Sequence, residues 1–219
     1  MKIAALIPAF QAEPYLREII PQTRRHLDEV IVVDDGSTDR TGAVAGENGA
    51  VVITHPANRG KGAALMSGFA YILQNGYDAV ITLDADGQHK PDYIPAFIGA
   101  YSKTRADLII GSRRHDKADM PFARRCSNFL TSRILSFLLH TGIEDSQSGF
   151  RLITAKLLKN VELKSARYQL ETEIIIKAVK KGYQIGFVPI KVVYGDNFPS
   201  SISHAADTFR WVKMVLEEI

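Results

Sequence analysis

The chain has 219 residues, of which 46% are hydrophobic and 23% charged, and its formal net charge is +3. This length fits one large domain, and so mild a positive charge gives no indication of a nucleic-acid-binding protein. The single cysteine excludes an intramolecular disulfide framework and is compatible with a reducing cytosol, and the sequence contains no run of about 18 apolar residues that could span a bilayer.

Apolar runs rich in β-branched residues recur along the chain, at residues 3–7, 30–33, 51–53, 79–83, 108–110 and 185–193. Between the early runs, residues 15–27 and 62–73 show the apolar spacing of helices. Continuous apolar strands that alternate with helices are typical of a parallel sheet covered on both faces. The sequence therefore predicts an α/β domain with a mostly parallel central sheet, in which ligands bind at the carboxyl ends of the strands.

The first two predicted strands end in polar residues, with PAFQAE at 8–13 and DDGSTDRT at 34–41. Asp, Ser and Thr favour turns and helix N-caps, which accounts for Ser37 but less well for the paired acids Asp34 and Asp35. A carboxylate at the carboxyl end of a strand also binds ribose hydroxyls or a base N–H of a nucleotide. We favour this nucleotide-binding interpretation for Asp35.

Residues 58–64, with sequence NRGKGAA, form a glycine-rich stretch that leads into the second predicted helix. The spacing does not match a Walker A motif. Backbone N–H groups at a helix start, together with a lysine or arginine, still suit an anion such as a phosphate. A basic turn without a ligand explains the same residues equally well, so both interpretations of Lys61 stay open.

Residues 83–89, with sequence LDADGQH, place Asp84 and Asp86 one residue apart at the end of an apolar strand. Alternate side chains of an extended segment point the same way, so both acids can face one spot. Two hard oxygen ligands suit Mg²⁺ or Mn²⁺, with a phosphate-bearing substrate completing the coordination shell. A loop cap is the competing explanation for a single Asp-x-Asp.

Polar motifs also follow in the second part of the chain, with GSRR at 111–114, DSQSGFR at 145–151 and QLETE at 169–173. The last of these opens a helix, and acids in a first helical turn are ordinary partners of the helix dipole. For Glu171 and Glu173 we favour this structural interpretation over a functional one.

Taken in chain order, these motifs resemble those of glycosyltransferase family 2. The matching segments are IPAF at 7–10 followed by Glu13, VVDDGS at 32–37 followed by Asp39, N-x-GKG at 58–62, D-x-DGQH at 84–89 followed by Pro91, GSR at 111–113 and SGFR at 148–151. Within the family, the chain is most similar to the catalytic domain of dolichyl-phosphate mannose synthase and related polyprenyl-phosphate glycosyltransferases. The resemblance covers nearly the whole chain.

The resemblance implies a GT-A fold with a Rossmann-like nucleotide-binding domain, a UDP- or GDP-sugar donor, inversion at the anomeric carbon, and Mg²⁺ or Mn²⁺ as cofactor. We expect a single catalytic domain over residues 1–219, with a nucleotide-sugar-binding half at 1–115 and an acceptor-binding half at 116–219. The expected acceptor is a polyprenyl or dolichyl phosphate. A saccharide or another hydroxyl acceptor is the alternative, because FPSSISH at 198–204 replaces the Gly-x-Ser-Lys of the synthases. A smaller departure from the family pattern is Gln11, which stands where the family usually has Asn.

The candidate site residues fall into four groups. Those expected to bind the nucleotide-sugar are Pro8, Ala9, Phe10, Glu13, Asp35, Lys61, Asp84, Ala85 and Asp86. The expected metal ligands are Asp84, Asp86 and Gln88, and the expected catalytic residues are Asp86, Arg113, Arg124 and Asp145. The expected acceptor-binding residues are Arg113, Arg124, Ser148, Ser201 and His204. An arginine can hold phosphate oxygens bidentately, and Asp145 is the candidate base or acceptor-positioning residue.

Two segments carry apolar residues at helical spacing. One has Phe122, Cys126, Phe129, Leu130, Ile134, Phe137 and Leu138, interleaved with Arg124, Arg125 and Arg133, and the other has Phe209, Val212, Leu216 and Ile219. Such stripes either pack in the core or lie in a membrane interface. Both alternatives stay open, and we expect a cytoplasmic protein with peripheral association at the inner face of the cell membrane as one of them.

Three other functional classes explain parts of the pattern. A phosphatase that uses Asp-x-Asp as nucleophile and acid would carry the pair after the first strand, whereas here it follows a later one. A nucleotidyltransferase would have a glycine-rich basic loop after the first strand, where this chain has PAF at 8–10. A non-enzymatic nucleotide-sugar sensor would not need the intact acid pair. The sequence therefore favours a glycosyltransferase over these classes.

Overall fold

The computed structural model describes residues 1–113, 122–192 and 204–219. Over this part of the chain, seven strands and eight α-helices are present. The strands are β1 (Ile3–Ala9), β2 (Val30–Asp34), β3 (Val51–Thr54), β4 (Ala79–Thr82), β5 (Leu108–Ser112), β6 (Arg151–Thr154) and β7 (Ile185–Pro189). The helices are α1 (Glu13–Arg24), α2 (Thr41–Glu47), α3 (Lys61–Gln74), α4 (Ile94–Thr104), α5 (Phe122–Leu138), α6 (Ala155–Asn160), α7 (Gln169–Lys180) and α8 (His204–Glu218), with a 3₁₀ turn at Pro91–Tyr93.

The strands form one mixed sheet in the order β3-β2-β1-β4-β6-β5-β7, and β6 alone of these runs antiparallel to its neighbours. All six strands that the apolar runs predict are present, although the last ends at Pro189 rather than 193. The strand β6 was not predicted, because only two of its four residues, Leu152 and Ile153, are apolar. The predicted α/β domain with a mostly parallel sheet is confirmed.

Helices cover both faces of the sheet, as the continuous apolar strands predict. Alternate residues of β1 face opposite sides, so Leu6 packs with α3, α7 and α8, whereas Ile7 packs with α1, α2 and α4. The contact with α3 is close, because a Cβ added at Gly68 would lie 2.3 Å from Leu6 Cδ1. Among the described helices, none is both long enough and apolar enough to cross a bilayer.

The candidate site lies at the edge of the sheet where β1, β2 and β4 end. Because β6 is antiparallel to β4, its first residue Arg151 pairs with the last residue of β4, Thr82. The loop before β6 is therefore brought to the same edge, where Thr82 Oγ1 donates a hydrogen bond of 2.7 Å to the Gly149 carbonyl. The reversed strand thus places residues 145–150 beside the acids that follow β4.

Candidate active site

A lysine joins two acids at this edge. Lys61, the first residue of α3, places its Nζ 2.5 Å from Asp84 Oδ1 and 2.6 Å from Glu171 Oε1. Glu171 lies in the first turn of α7 and is buried, whereas a quarter of the Asp84 side chain is exposed. The lysine predicted to bind an anion is thus located beside the Asp-x-Asp, and Glu171 has an ionic partner outside its own helix in addition to its place in the helix dipole.

The pKa values of the two acids of the Asp-x-Asp are shifted in opposite directions. Burial alone raises the pKa of Asp84, but Lys61 and, more weakly, His89 and Arg113 bring it down to about 2. Burial and the neighbouring Asp84 carboxylate raise the pKa of Asp86 to about 6. Asp86 Oδ1 accepts a hydrogen bond of 2.9 Å from the backbone N–H of Gln88. Asp84 is therefore ionised at neutral pH, and Asp86 loses its proton just below it.

The residues around Asp84 fit a divalent cation. Two carboxylates are hard donors of the kind that Mg²⁺ and Mn²⁺ prefer, and the ammonium of Lys61 already stands against one of them. His89 Nδ1 is buried 3.6 Å from Asp84 Oδ2 and has no hydrogen-bond partner among the described residues. In the described part of the chain, no group of three or more His, Cys, Asp or Glu side chains has metal-binding geometry.

Asp35 holds the glycine-rich loop. Its buried carboxylate accepts hydrogen bonds from the backbone N–H of Arg59 at 3.0 Å and of Gly60 at 2.7 Å, and His55 Nδ1 lies 2.6 Å from it. Asp35 thereby fixes the turn that presents Lys61. Its predicted contact with a nucleoside stays a prediction, and His55 is a neighbour that the motifs did not reveal.

The residues at the end of β1 and directly after it lie at the same edge of the sheet. Pro8 and Ala9 are buried in β1, Phe10 is exposed, and Glu13 opens α1 and accepts a hydrogen bond of 3.2 Å from the backbone N–H of Arg40. Gln11 has a left-handed φ of +52°. Asn tolerates this conformation better than Gln, which agrees with the Asn that the resemblance leads us to expect at this position.

A second acid–base pair connects β5 with the loop before β6. Asp145 is fully buried and accepts two hydrogen bonds from the Arg113 guanidinium, at 2.7 Å from Nε and 2.9 Å from Nη2. It also accepts hydrogen bonds from the backbone N–H groups of Arg113, Gln147 and Ser148. Burial raises the pKa of Asp145, but these partners keep it below its usual value. The Ser148 hydroxyl is buried, and no residue in the described part of the chain forms a hydrogen bond with it.

Arg151 stabilises this loop through hydrogen bonds to backbone carbonyl groups. It is almost fully buried, and its guanidinium donates hydrogen bonds to the carbonyl oxygens of Ser148 at 2.6 Å, Ser146 at 3.0 Å and Glu171 at 2.5 Å. One arginine thus ties the loop that carries Asp145 to the start of the helix that carries Glu171. The side chains of Arg124 and His204, and all of Ser201, lie outside the described residues.

The apolar stripes of α5 and α8 lie mainly on the surface. Phe129 and Phe137 of α5 are 69% and 78% exposed, and Phe209 and Leu216 of α8 are also largely exposed. The opposite side of α5 contacts the loop before β6, where Ser132 Oγ accepts a hydrogen bond of 2.9 Å from the Ser146 N–H. Core packing therefore does not account for these exposed apolar residues.

The sequence comparisons give one family. The model of glycosyl transferase family 2 matches residues 4–162. The UDP-N-acetylglucosamine–dolichyl-phosphate N-acetylglucosaminyltransferase of Methanococcus voltae is 32% identical, over 88% of this chain and 86% of that protein. The undecaprenyl-phosphate mannosyltransferase of Micrococcus luteus is 30% identical, over 88% of this chain and 84% of that protein.

The structural comparison gives the same fold. A crystal structure of glucosyl-3-phosphoglycerate synthase from Mycobacterium tuberculosis with Mn²⁺, UDP-glucose and phosphoglyceric acid matches with a TM-score of 0.82. The match covers 99% of this chain and 79% of that chain at 21% identity, which establishes the GT-A fold and not the substrates.

Proposed function

The chain belongs to glycosyltransferase family 2, and we propose that it transfers a sugar from a UDP- or GDP-sugar to a polyprenyl phosphate, with inversion at the anomeric carbon. The two relatives described above are named for dolichyl and undecaprenyl phosphate, which supports this acceptor class. One observation carries the proposal: the Lys61 ammonium lies 2.5 Å from the partly exposed carboxylate of Asp84, the first acid of the Asp-x-Asp. A cation suited to phosphates and an acid suited to a divalent cation thus meet at the sheet edge.

The donor side of the proposed site is built from residues of the first half of the chain, 1–115. Asp84, Asp86 and Gln88 are the proposed ligands of Mg²⁺ or Mn²⁺, which when bound supplies Lewis-acid stabilisation of the negative charge on the departing nucleoside diphosphate. Lys61 contributes a further positive charge to the same phosphates. The proposed nucleotide-sugar contacts also include Pro8, Ala9, Phe10, Glu13, Asp35 and Ala85.

The acceptor side is proposed to depend on Arg113, with Arg124, Ser148, Ser201 and His204 from the second half, 116–219. A phosphomonoester is already ionised near neutral pH, so its oxygen can attack the anomeric carbon without a strong general base. This agrees with Asp145, whose oxygens are occupied by hydrogen bonds and whose pKa is low. We assign Asp145 as a positioning residue that orients Arg113, rather than as a base.

The exposed side of α5 is proposed to contact the membrane that carries the acceptor, at its cytoplasmic face. The helix sequence contains Arg124, Arg125 and Arg133 and no acidic residue, alongside exposed phenylalanines. A basic and apolar helix surface suits an interface with anionic lipids. Because the other side of α5 contacts the loop that carries Asp145, a lipid-bound phosphate would be delivered close to Arg113.

The test is a transfer assay with purified protein, a short-chain prenyl phosphate, Mn²⁺ and a panel of UDP- and GDP-sugars. Thermal shifts with the same donors identify the base and sugar first, because a ligand that binds only the native state raises the melting temperature. We expect glycosyl prenyl phosphate as the product, with inverted anomeric configuration, and no product without a divalent cation. The Asp84→Asn variant should be inactive.

The matched control is Asp92→Asn, since Asp92 is a 77% exposed acid in the same part of the chain. It should retain wild-type transfer. Transfer to a free saccharide but not to prenyl phosphate would contradict the proposed acceptor. Hydrolysis of a simple phosphoester without any glycosyl transfer would favour the phosphatase alternative instead.

A further inference from the structure

The backbone at Lys61 is held in place where α3 meets the segment before α7. Its own helix α3 begins with glycines that pack against the segment before α7, where a Cβ added at Gly60 would lie 2.6 Å from the Ala166 carbonyl oxygen. The Ala63 N–H donates a hydrogen bond of 3.0 Å to that carbonyl. The approach of α7 to α3 is therefore set by backbone contacts, and the Lys61–Glu171 ion pair is part of this arrangement.

We infer that Lys61 is an exchangeable cation, which occupies Asp84 in the cation-free enzyme and moves off it when a divalent cation binds. Glu171 is the positioning residue that retains the ammonium beside the site during this exchange. The inference rests on the proposed function, because it takes Asp84 as a ligand of the divalent cation. It adds a role for Glu171, which the motifs indicated only as a partner of the helix dipole.

The charges support this exchange. One ammonium lies within 2.6 Å of two carboxylates, so it can keep one ionic partner when it leaves the other. A divalent cation on Asp84 repels the ammonium, and the flexible lysine stem allows a shift of position without backbone movement. Glu171 is buried, and a buried carboxylate left without a cation is costly, which favours retention of the lysine.

The experiment measures Mn²⁺ affinity by electron paramagnetic resonance, in the full chain and without nucleotide. Lys61→Met removes the competing ammonium and should tighten Mn²⁺ binding by about tenfold. Glu171→Gln removes the second anchor, so that Lys61 stays on Asp84, and should weaken binding by a few-fold, roughly the effect of one partly screened charge. In the double variant the Glu171→Gln change should have no further effect, because there is no lysine left to retain.

Glu173→Gln is the matched control on the same helix. Glu173 accepts hydrogen bonds from Lys177 and from the backbone of Lys164 and Ser165, so its loss should leave the Mn²⁺ affinity unchanged. If Glu171→Gln weakens binding equally with and without Lys61, Glu171 acts directly on the cation and the positioning role is wrong.

Two further variants separate this inference from the proposed function. If Asp84→Asn binds Mn²⁺ as well as the wild type does, the proposed metal site itself is wrong. If Asp84→Asn loses Mn²⁺ but Lys61→Met does not tighten it, only the exchange is wrong. Should Glu171→Gln not fold, Lys61→Arg tests the same point, since a guanidinium grips carboxylates in a fixed fork and should weaken Mn²⁺ binding; unchanged or tighter binding overturns the inference.

Discussion

The proposed donor and acceptor sides of the site each contain an acid–base pair, but the two pairs are built differently. On the donor side, Asp84 is 25% exposed and shares Lys61 with a second acid. On the acceptor side, Asp145 is fully buried and accepts two hydrogen bonds from one guanidinium and three from backbone N–H groups. The Asp84 carboxylate can exchange its ionic partner, whereas both oxygens of the Asp145 carboxylate are already occupied by hydrogen bonds.

The difference separates two functions of a carboxylate in one active site. An accessible acid with a mobile counterion can bind a ligand that arrives and leaves in each turnover. A sealed acid with a rigid counterion can only orient that counterion, which here is Arg113. Substitutions on the donor side should therefore affect ligand binding with little cost in stability, and substitutions on the acceptor side should affect stability as well.

The largest effect is expected from Asp84→Asn. Loss of the carboxylate removes a ligand of the divalent cation, and we expect kcat/KM for glycosyl transfer to fall by about 10³-fold or more. The melting temperature should change little, because Lys61 keeps its ion pair with Glu171. Steady-state transfer rates and circular dichroism melts check both parts. If Asp84→Asn loses activity only because it unfolds, the donor-side acid contributes to stability as the acceptor-side acid does, and the proposed difference between the two sides is wrong.

Asp145→Ala should give the next largest effect, on stability. Removal of the carboxylate leaves the Arg113 guanidinium and several backbone N–H groups without an acceptor, at a cost of about 3 kcal/mol in the free energy of unfolding. Urea denaturation measures this quantity. The KM for prenyl phosphate should also rise, since Arg113 is no longer oriented. Unchanged stability would show that the pair is as exchangeable as that of Asp84.

The sequence was sufficient for most of the fold, because buried parallel strands are continuous apolar runs that need no knowledge of their neighbours. It was insufficient for β6, in which only two of four residues are apolar and whose strand conformation depends on pairing with β4 and β5. That reversed strand is what brings Gly149 to Asp84. Motif order alone placed both segments in the site but gave no geometry for their contact.

Within the site, the motifs predicted the residues that end strands and did not predict their partners. Glu171 was interpreted as a helix-dipole acid because spacing along one helix says nothing of a lysine 110 residues earlier. Arg151 was seen only as part of a motif, although its hydrogen bonds to three carbonyl groups depend on tertiary packing. Long-range ion pairs of this kind leave no local pattern, so reasoning from the sequence alone could not have found them.

A change of pH should affect the donor side alone. The pKa of Asp86 is raised to about 6 by burial and by Asp84, so below that pH a proton must leave before Asp86 can bind a cation. We expect the Mn²⁺ dissociation constant to rise roughly fivefold as pH falls from 6 to 5, and to be nearly constant above pH 7. Asp145, with its lowered pKa, stays ionised throughout this range. Calorimetric titration at several pH values measures the slope, and Asp86→Asn should abolish it.

The smallest predicted effect comes from Gly149→Ala, at the point where the two sides meet. A Cβ at this position would lie 2.6 Å from Asp84 Oδ2, closer than van der Waals contact allows, so the carboxylate must shift. Because Asp84 is partly exposed and can move, we expect Mn²⁺ affinity to fall several-fold, on the order of 1 kcal/mol, with little loss of stability. Gly142→Ala is the control, since it lies in the same connecting segment and its added Cβ meets nothing within 4 Å.

If Gly149→Ala instead lowers stability as much as Asp145→Ala does, the loop before β6 cannot adjust, and the Asp84 carboxylate is as rigidly held as that of Asp145. If Mn²⁺ affinity and stability are both unchanged, the added methyl group does not displace the Asp84 carboxylate, contrary to what the distance of 2.6 Å predicts. Reduced Mn²⁺ affinity at unchanged stability is the result expected of a mobile carboxylate beside a fixed loop. The Gly149→Ala variant therefore tests whether the Asp84 carboxylate can shift while the loop before β6 stays in place.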